Sequence, residues 1–418
     1  MSKNGKDRRP YLPPVTRIEL SEKNISLRWI LLAALLVIAG FAFAFGIKEM
    51  VSVQPGWNAV EATCKAPNYS SEFTLMYDFS ETGGNAAAVN KGLTATYSTA
   101  MEDAFRIFSK DAETEEIHNL RDLNTHVNED LVIHETLFKA LEQINAHGNR
   151  NIFLAPVYVE YNRVFNSESD AESLAYDPYV NAEVMAYINQ VMNFVKDENH
   201  IRLELSSGNT ARLMVSEEYL AFAEEMGIEE FLDLGWMRNA FVADYVASCL
   251  ESQGYTSGYL ASFDGFTRSF DVNDLEQNLY DRQGSHIYAP GKIVYSGNRA
   301  MVFLRDYPLT EQDRWNYRVY EDGRIVSSML NSETGTNDNC LPNLVSYSNQ
   351  KGCAEILLEM IPVCMAEEFS EADIMDLKVE GIFSIWCEDG TVCYNDSSLQ
   401  LDLVENEDGT LYKSEYIQ

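Results

Sequence analysis

An α+β fold, with mixed sheets and flanking helices, is what this sequence predicts. Segments with apolar residues at alternate positions recur among segments with apolar residues three or four apart, the periods of strands and helices. The two kinds do not alternate strictly, which argues against a doubly wound parallel sheet. With 418 residues, 46% of them hydrophobic, the chain has apolar material for one large or two ordinary cores.

Element by element, residues 48–71 hold Pro55, Gly56 and Pro67 without clear periodicity and read as a stalk. Folded structure is expected from Glu72, where Phe73, Leu75, Tyr77 and Phe79 alternate as a strand before a Gly83-Gly84-Asn85 turn. Helices are expected at Met101–Phe108 and at Glu135–Ala146, where Gly148 is placed to end the second. Another runs from Pro178 through Val184, Ile188, Val191 and Val195. His200–Leu205 and Ala211–Val215 form a hairpin around Ser207-Gly208-Asn209, Ser216 starts a short helix, and Phe231–Leu234 reads as strand. A helix over Trp236–Leu250 closes at Gly254, and extended structure resumes at Ser257–Phe263. Strands follow at Ile293–Tyr295, Ala300–Leu304, Trp315–Tyr320 and Arg324–Leu330. A helix over Ala354–Met365, shortened by Pro362, precedes a hairpin from Lys378 to Tyr394. The main domain is thus read as 72–394, with 395–418 an acidic, peripheral tail.

Charge divides the chain. There are 31 basic and 65 acidic residues, a net charge of -34, which repels phosphate backbones and argues against a nucleic-acid partner. Residues 1–28 run the other way, with seven basic residues and three acidic ones. Trp29–Ile47 then gives nineteen residues without charge or Pro, close to the ~20 that a membrane-crossing helix needs. It reads as a single span, with the basic tail cytoplasmic and residues 48–418 outside. A cleaved signal peptide is the rival, since Ala42 and Ala44 form a small-x-small site; the long basic leader and long apolar run favour the uncleaved anchor.

All seven cysteines follow the span, where disulfides are chemically permitted. Cys387 and Cys393 flank Asp389-Gly390, a hairpin dipeptide that could bring two thiols together; buried reduced thiols are the alternative. No Cys spacing resembles a zinc site, and the six His are not at metal-ligand spacing. There is no Gly-x-Ser-x-Gly elbow, His-Glu-x-x-His pair, P-loop or Gly-x-Gly-x-x-Gly. Glu355 and Glu359 stand four apart on a predicted helix and share a face able to grip a hard cation such as Mg²⁺; in a chain this acidic the plain alternative is a solvated pair.

Phe231-Leu-Asp-Leu-Gly-Trp-Met-Arg-Asn-Ala-Phe-Val-Ala-Asp244, leading on to Gly254-Tyr-Thr-Ser-Gly-Tyr-Leu260, resembles the central block of the ApbE family, the FAD:protein FMN transferases. The family's version is a strand ending Asp-Leu-Gly-Gly/Ala-Ile-Ala-Lys-Gly that enters a helix. Neighbouring segments fall in the family's order: Ala104–Leu120, Leu131–Ile144, Ser327-Ser-Met-Leu-Asn-Ser-Glu-Thr-Gly335 and Cys353-Ala-Glu-Ile-Leu-Leu-Glu359. The resemblance implies an ApbE-like flavin transferase fold behind the N-terminal transmembrane helix. It also implies FAD and Mg²⁺ as cofactors, and a Thr or Ser of a target protein as FMN acceptor. It places cofactor contacts at Asp233, Gly235, Trp236, Asn239, Asp264 and Ser328, and metal ligands at Glu355 and Glu359. No catalytic residue is assigned.

The departures matter physically. Asn239 stands where the family has Lys, and Trp236 where it has a small residue beside the cofactor. Ser262-Phe-Asp-Gly265 replaces a double-Gly strand end, so that Phe263 is expected to fill flavin space. Ser328 and Asn331 replace His and Asp, and Gly148–Val157 lacks the Thr-Gly-Gly-x-Phe-Asp signature. Asp233, Gly235 and Asp244 are retained, but they define turn and helix geometry. These changes point to lost or altered catalysis. The alternative is a noncatalytic surface module that binds a protein partner, supported by tyrosines near predicted loops at 158, 161, 176 and 179. A flavin-acceptor role is poorly supported: Asp264-Gly-Phe-Thr267 begins like the target motif, but Phe270 has no hydroxyl at the acceptor position.

Overall fold

Nine strands line up in space in the order in which the chain makes them. The computed structural model describes residues 54–115 and 117–418. Its large sheet comprises β1 (Trp57–Val60), β2 (Phe73–Asp78), β3 (Gly258–Ser262), β4 (Phe266–Ser269) and β5 (Arg299–Arg305). It continues with β6 (Asn343–Ser348), β7 (Phe383–Glu388), β8 (Thr391–Tyr394) and β9 (Lys413–Tyr416). Every pairing is antiparallel except β8 with β9. The period-2 pattern that marks β2 puts Leu75 in the core, where it meets Leu260 of β3.

Three helices cover one face: α1 (Ala86–Phe108), α2 (Arg238–Ser252) and α3 (Cys353–Cys364). Leu93, Met101, Val246, Leu250, Ile356 and Met360 from these helices share a core with Val302, Leu304 and Trp386 of the sheet. Alternate residues of the same strands, Met301, Phe303, Val345 and Ile385, face the other way. There they pack on Leu279, Ile293 and Tyr295, from a second sheet of Leu275–Gln283, His286–Tyr295 and Gln400–Leu403. Leu131–Val132 joins the Ile201–Ser206 and Thr210–Val215 hairpin in a third sheet, and Tyr317–Val319 pairs with Ile325–Ser327.

Several expectations need correction. The stretch read as a stalk contributes β1, so the fold begins before Glu72. The stretch read as a peripheral tail pairs twice, through Gln400–Leu403 and β9. Phe231–Leu234 forms no strand, because the Asn124 side chain does the work of a neighbouring strand. It accepts from Phe231 N (2.9 Å) and Leu232 N (2.8 Å) and donates to Leu232 O (2.9 Å). The helix expected from Pro178 begins at Ala182, where the Asn181 side chain caps it by accepting from Glu183 N. Pro362 lies in the last turn of α3 and does not shorten it. The Lys378–Tyr394 hairpin is confined to β7 and β8, since Glu371–Val379 is helical. α1 extends the helix expected at Met101–Phe108 back to Ala86, and the Ala155–Asn166 helix has no counterpart among the expectations.

Cys387 and Cys393 cannot pair in this register. Cys387 sits opposite Val392 and Cys393 opposite Trp386, so successive pairs put the two sulfurs on opposite faces of the sheet. All seven thiols are free. The span at Trp29–Ile47 lies outside the described residues; among the described residues no helix is long and apolar enough to cross a membrane.

Candidate functional site

The chain enters α2 through a tight turn held by its own side chains. Asp233 Oδ1 accepts the Gly235 N–H at 2.8 Å, and the Asp233 N–H donates to Ile152 O at 2.9 Å. Burial pushes the Asp233 carboxyl up, against the opposing pull of the Gly235 N–H, Lys110 and Arg238. Gly235 has φ +54°, and a Cβ there would lie 2.4 Å from the ring of Tyr158. That buried ring, from the Ala155–Asn166 helix, therefore lies flush against the turn's backbone. Its hydroxyl donates to Asn151 O (3.2 Å), and the Asn151 amide donates to Leu330 O (2.6 Å).

Trp236 follows the turn and borders a void shared with Asp264, Arg305, Tyr317 and Ser328. The void measures about 20 Å³, room for one water molecule. Trp236 Nε1, Asp264 Oδ1 and Arg305 Nε are buried here without a protein partner. Arg305, which sequence reasoning did not single out, is 3% exposed. Its Nη2 donates to Phe263 O (2.9 Å) and to Asp313 Oδ1 (2.7 Å). The Ser328 hydroxyl donates to Asn316 Oδ1 at 3.3 Å. Phe263, expected to fill this space, does not line it; Trp236, Phe266 and Tyr317 do.

Behind the indole, the Asn239 amide donates to Glu72 Oε2 and Asp264 Oδ2, each at 2.9 Å. Arg238 pairs with Glu72 and lies over the Tyr69 ring, 4.2 Å from its centroid. Burial pushes the Asp264 carboxyl up to about 6; the Ser262 hydroxyl resists that shift and nearby Glu72 adds to it. The turn thus gathers Trp236, Asn239, Asp264 and Ser328 in one locale, with its positive charge supplied by Arg238 and Arg305.

Glu355 and Glu359 lie elsewhere. Glu355 is ion-paired with Lys351, and Glu359 Oε1 is 3.3 Å from His147 Nε2. Glu359 lines a separate surface concavity with Asp373, Asp376 and Glu380, and neither glutamate borders the void at Trp236. The N-terminus of α3 is occupied by Asp244 of α2, which accepts from Cys353 N (2.8 Å) and Ala354 N (2.9 Å) and pairs with Arg268 at 2.6 Å. Burial and the nearby Asp244 charge push the Cys353 thiol well above its ordinary range.

No family model and no curated protein matches the sequence. The structure is similar to the flavin transferase ApbE from Vibrio cholerae, with a TM-score of 0.51 at 14% identity, over 81% of this chain and 95% of that one. It is also similar to the ApbE protein of Thermotoga maritima, with a TM-score of 0.50 at 12% identity, over 80% of this chain and 93% of that one. The chain has the ApbE fold.

The ApbE resemblance implies FAD and Mg²⁺, and the residues present suit neither. A one-water void between an indole and a salt-bridged guanidinium does not admit an isoalloxazine, and Tyr158 covers the backbone that a cofactor would approach. Each of the two glutamates is already engaged by a basic side chain. Among the described residues no three His, Cys, Asp or Glu side chains gather as a metal site. Sequence reasoning missed Asn151 and Arg305 and read Tyr158 as part of a partner surface; Arg305 borders the void, and Tyr158 packs on the turn that leads into it.

Proposed function

We propose that this chain is a membrane-anchored, extracytoplasmic protein of ApbE fold that does not transfer FMN and acts as a noncatalytic surface module. The small size of the void at Trp236 carries this reading. Flavin transfer needs a cleft for a dinucleotide and charge to hold its pyrophosphate. Here the space is of the order of one water, and the two nearby guanidinium groups are committed to Glu72 and Asp313. The anchor rests on the uncharged run Trp29–Ile47 behind a basic leader. A module without chemistry works by contact, and the partner is expected to be a protein at the membrane surface. Of the tyrosines that suggested such a surface, Tyr158 and Tyr161 are buried, and Tyr179 is exposed with its hydroxyl on Asp338.

The test is direct. The full-length protein in detergent is incubated with FAD, Mg²⁺ and a candidate acceptor protein, and AMP release and flavin absorbance of the repurified chain are followed. Neither signal is expected above a no-protein control. AMP release, or a yellow protein, would overturn the reading and require a site that opens.

A further inference from the structure

With the Cys387–Cys393 pairing removed by the strand register, the fold brings a different pair together. Cys340 N–H donates to Cys364 O at 2.9 Å, joining the loop before β6 to the last residue of α3. With standard backbone dimensions, one such bond limits the Cα separation to about 6.8 Å, within the span of a disulfide. The Cys340 side chain is turned to the same helix end, where its Sγ–H donates to Val363 O at 3.1 Å. Cys364 is 2% exposed and Cys340 is half-buried, so a solvent-borne oxidant can reach the second and not the first. Burial raises both thiols, so little thiolate is present at neutral pH and exchange is slow.

We infer that Cys340 and Cys364 form a disulfide when the protein meets a small-molecule disulfide oxidant. The Cys340 thiolate attacks the oxidant's S–S bond and expels one thiolate. The Cys364 thiolate then attacks the Cys340 sulfur and expels the second. One S–S bond is formed and one consumed; the two cysteine protons pass to the two released thiols. The physiological setting rests on the outward placement of residues 48–418 proposed above, whereas the pairing itself rests on geometry alone. The bond would fasten the segment after Ser328 to α3, where Asn331 Nδ2 already donates to Met365 O at 3.1 Å. Since Ser328 and Met329 border the void, the disulfide would be a clasp on the segment that leads from it.

Purified, reduced full-length protein is treated with oxidised glutathione, quenched with an alkylating agent in denaturant, and analysed by intact mass and peptide mapping. Five alkylated thiols and one cross-linked peptide pair, Cys340 with Cys364, are expected, with a rise of a few degrees in the thermal midpoint. Cys340→Ser and Cys364→Ser should each lose the cross-link and the rise. Seven alkylated thiols, or a cross-link between other cysteines, would overturn the inference. Because oxidation is performed in vitro, this result does not depend on export. Native alkylation of protein recovered from membranes tests export separately, and a reduced pair there combined with ready oxidation in vitro would overturn the outward placement and not the pairing.

Discussion

Two carboxylates of one short segment, Asp233 at the turn into α2 and Asp244 in the second turn of that helix, invite comparison with the residues between them. Asp233 and Asp244 match the ApbE pattern, and both spend their oxygens on backbone N–H groups, those of Gly235, Cys353 and Ala354. Trp236 and Asn239 depart from the pattern; Trp236 borders the void, and Asn239 donates to Asp264, which borders it too. The carboxylates that hold backbone geometry match the family pattern, and the side chains at or beside the void do not. The two sets of interactions are physically separate, so one can change without the other.

If that separation is real, the kept residues should be costly to change. Asp244→Ala removes both caps of α3 and strips Arg268 of its close partner, leaving Glu251 at 3.9 Å. A loss of about 3 kcal/mol in urea denaturation is expected, with Asp244→Asn intermediate. A loss below about 1 kcal/mol would break the comparison, since the cap would then be dispensable. Gly235→Ala comes next. Its Cβ meets the Tyr158 ring at 2.4 Å on a backbone at φ +54°, and about 2 kcal/mol of destabilisation is expected. Adding Tyr158→Ala should recover about 1 kcal/mol as coupling in a double-mutant cycle, because the clash is removed and the backbone strain stays. Strict additivity would show that the ring does not press on the turn.

The same separation explains what the sequence made legible. The order of segments and the turn at Asp233-Leu-Gly235 could be read because local geometry leaves local signatures. The helix ending at Ala146 was readable from its apolar stripe. Closure of the site was not readable, because it depends on Tyr158 meeting Gly235 and Arg305 meeting Phe263, contacts between residues far apart in the chain. Asn124 is a similar case: an apolar tetrad looks like strand until a distant amide replaces the strand's partner. Glu355 and Glu359 are a different case. Their spacing did put them on one helix, but Lys351 and His147, which engage them, come from outside the pattern that drew attention to them.

The pH dependence of Asp264 sharpens the comparison most, because it reads the site itself. A carboxyl pushed up to about 6 holds its proton more tightly in the folded protein than in the unfolded chain, where Asp titrates near ~3.9. Between those values the folded state binds more protons. The stability linked to Asp264 is therefore fully present below about pH 4 and is lost as pH rises through 6. That sign is opposite to the usual salt-bridged carboxylate and follows from burial beside Glu72 with one carboxylate oxygen unpartnered. Asp264→Asn keeps an oxygen to accept from Asn239 and cannot ionise, so it should nearly match the parent near pH 4 and exceed its stability by about 2 kcal/mol at pH 7. Denaturation of both proteins at the two pH values measures the difference. A gap that does not change with pH would mean that water reaches Asp264 and keeps it ionised throughout, and the void beside Trp236 would then have to admit more than one water.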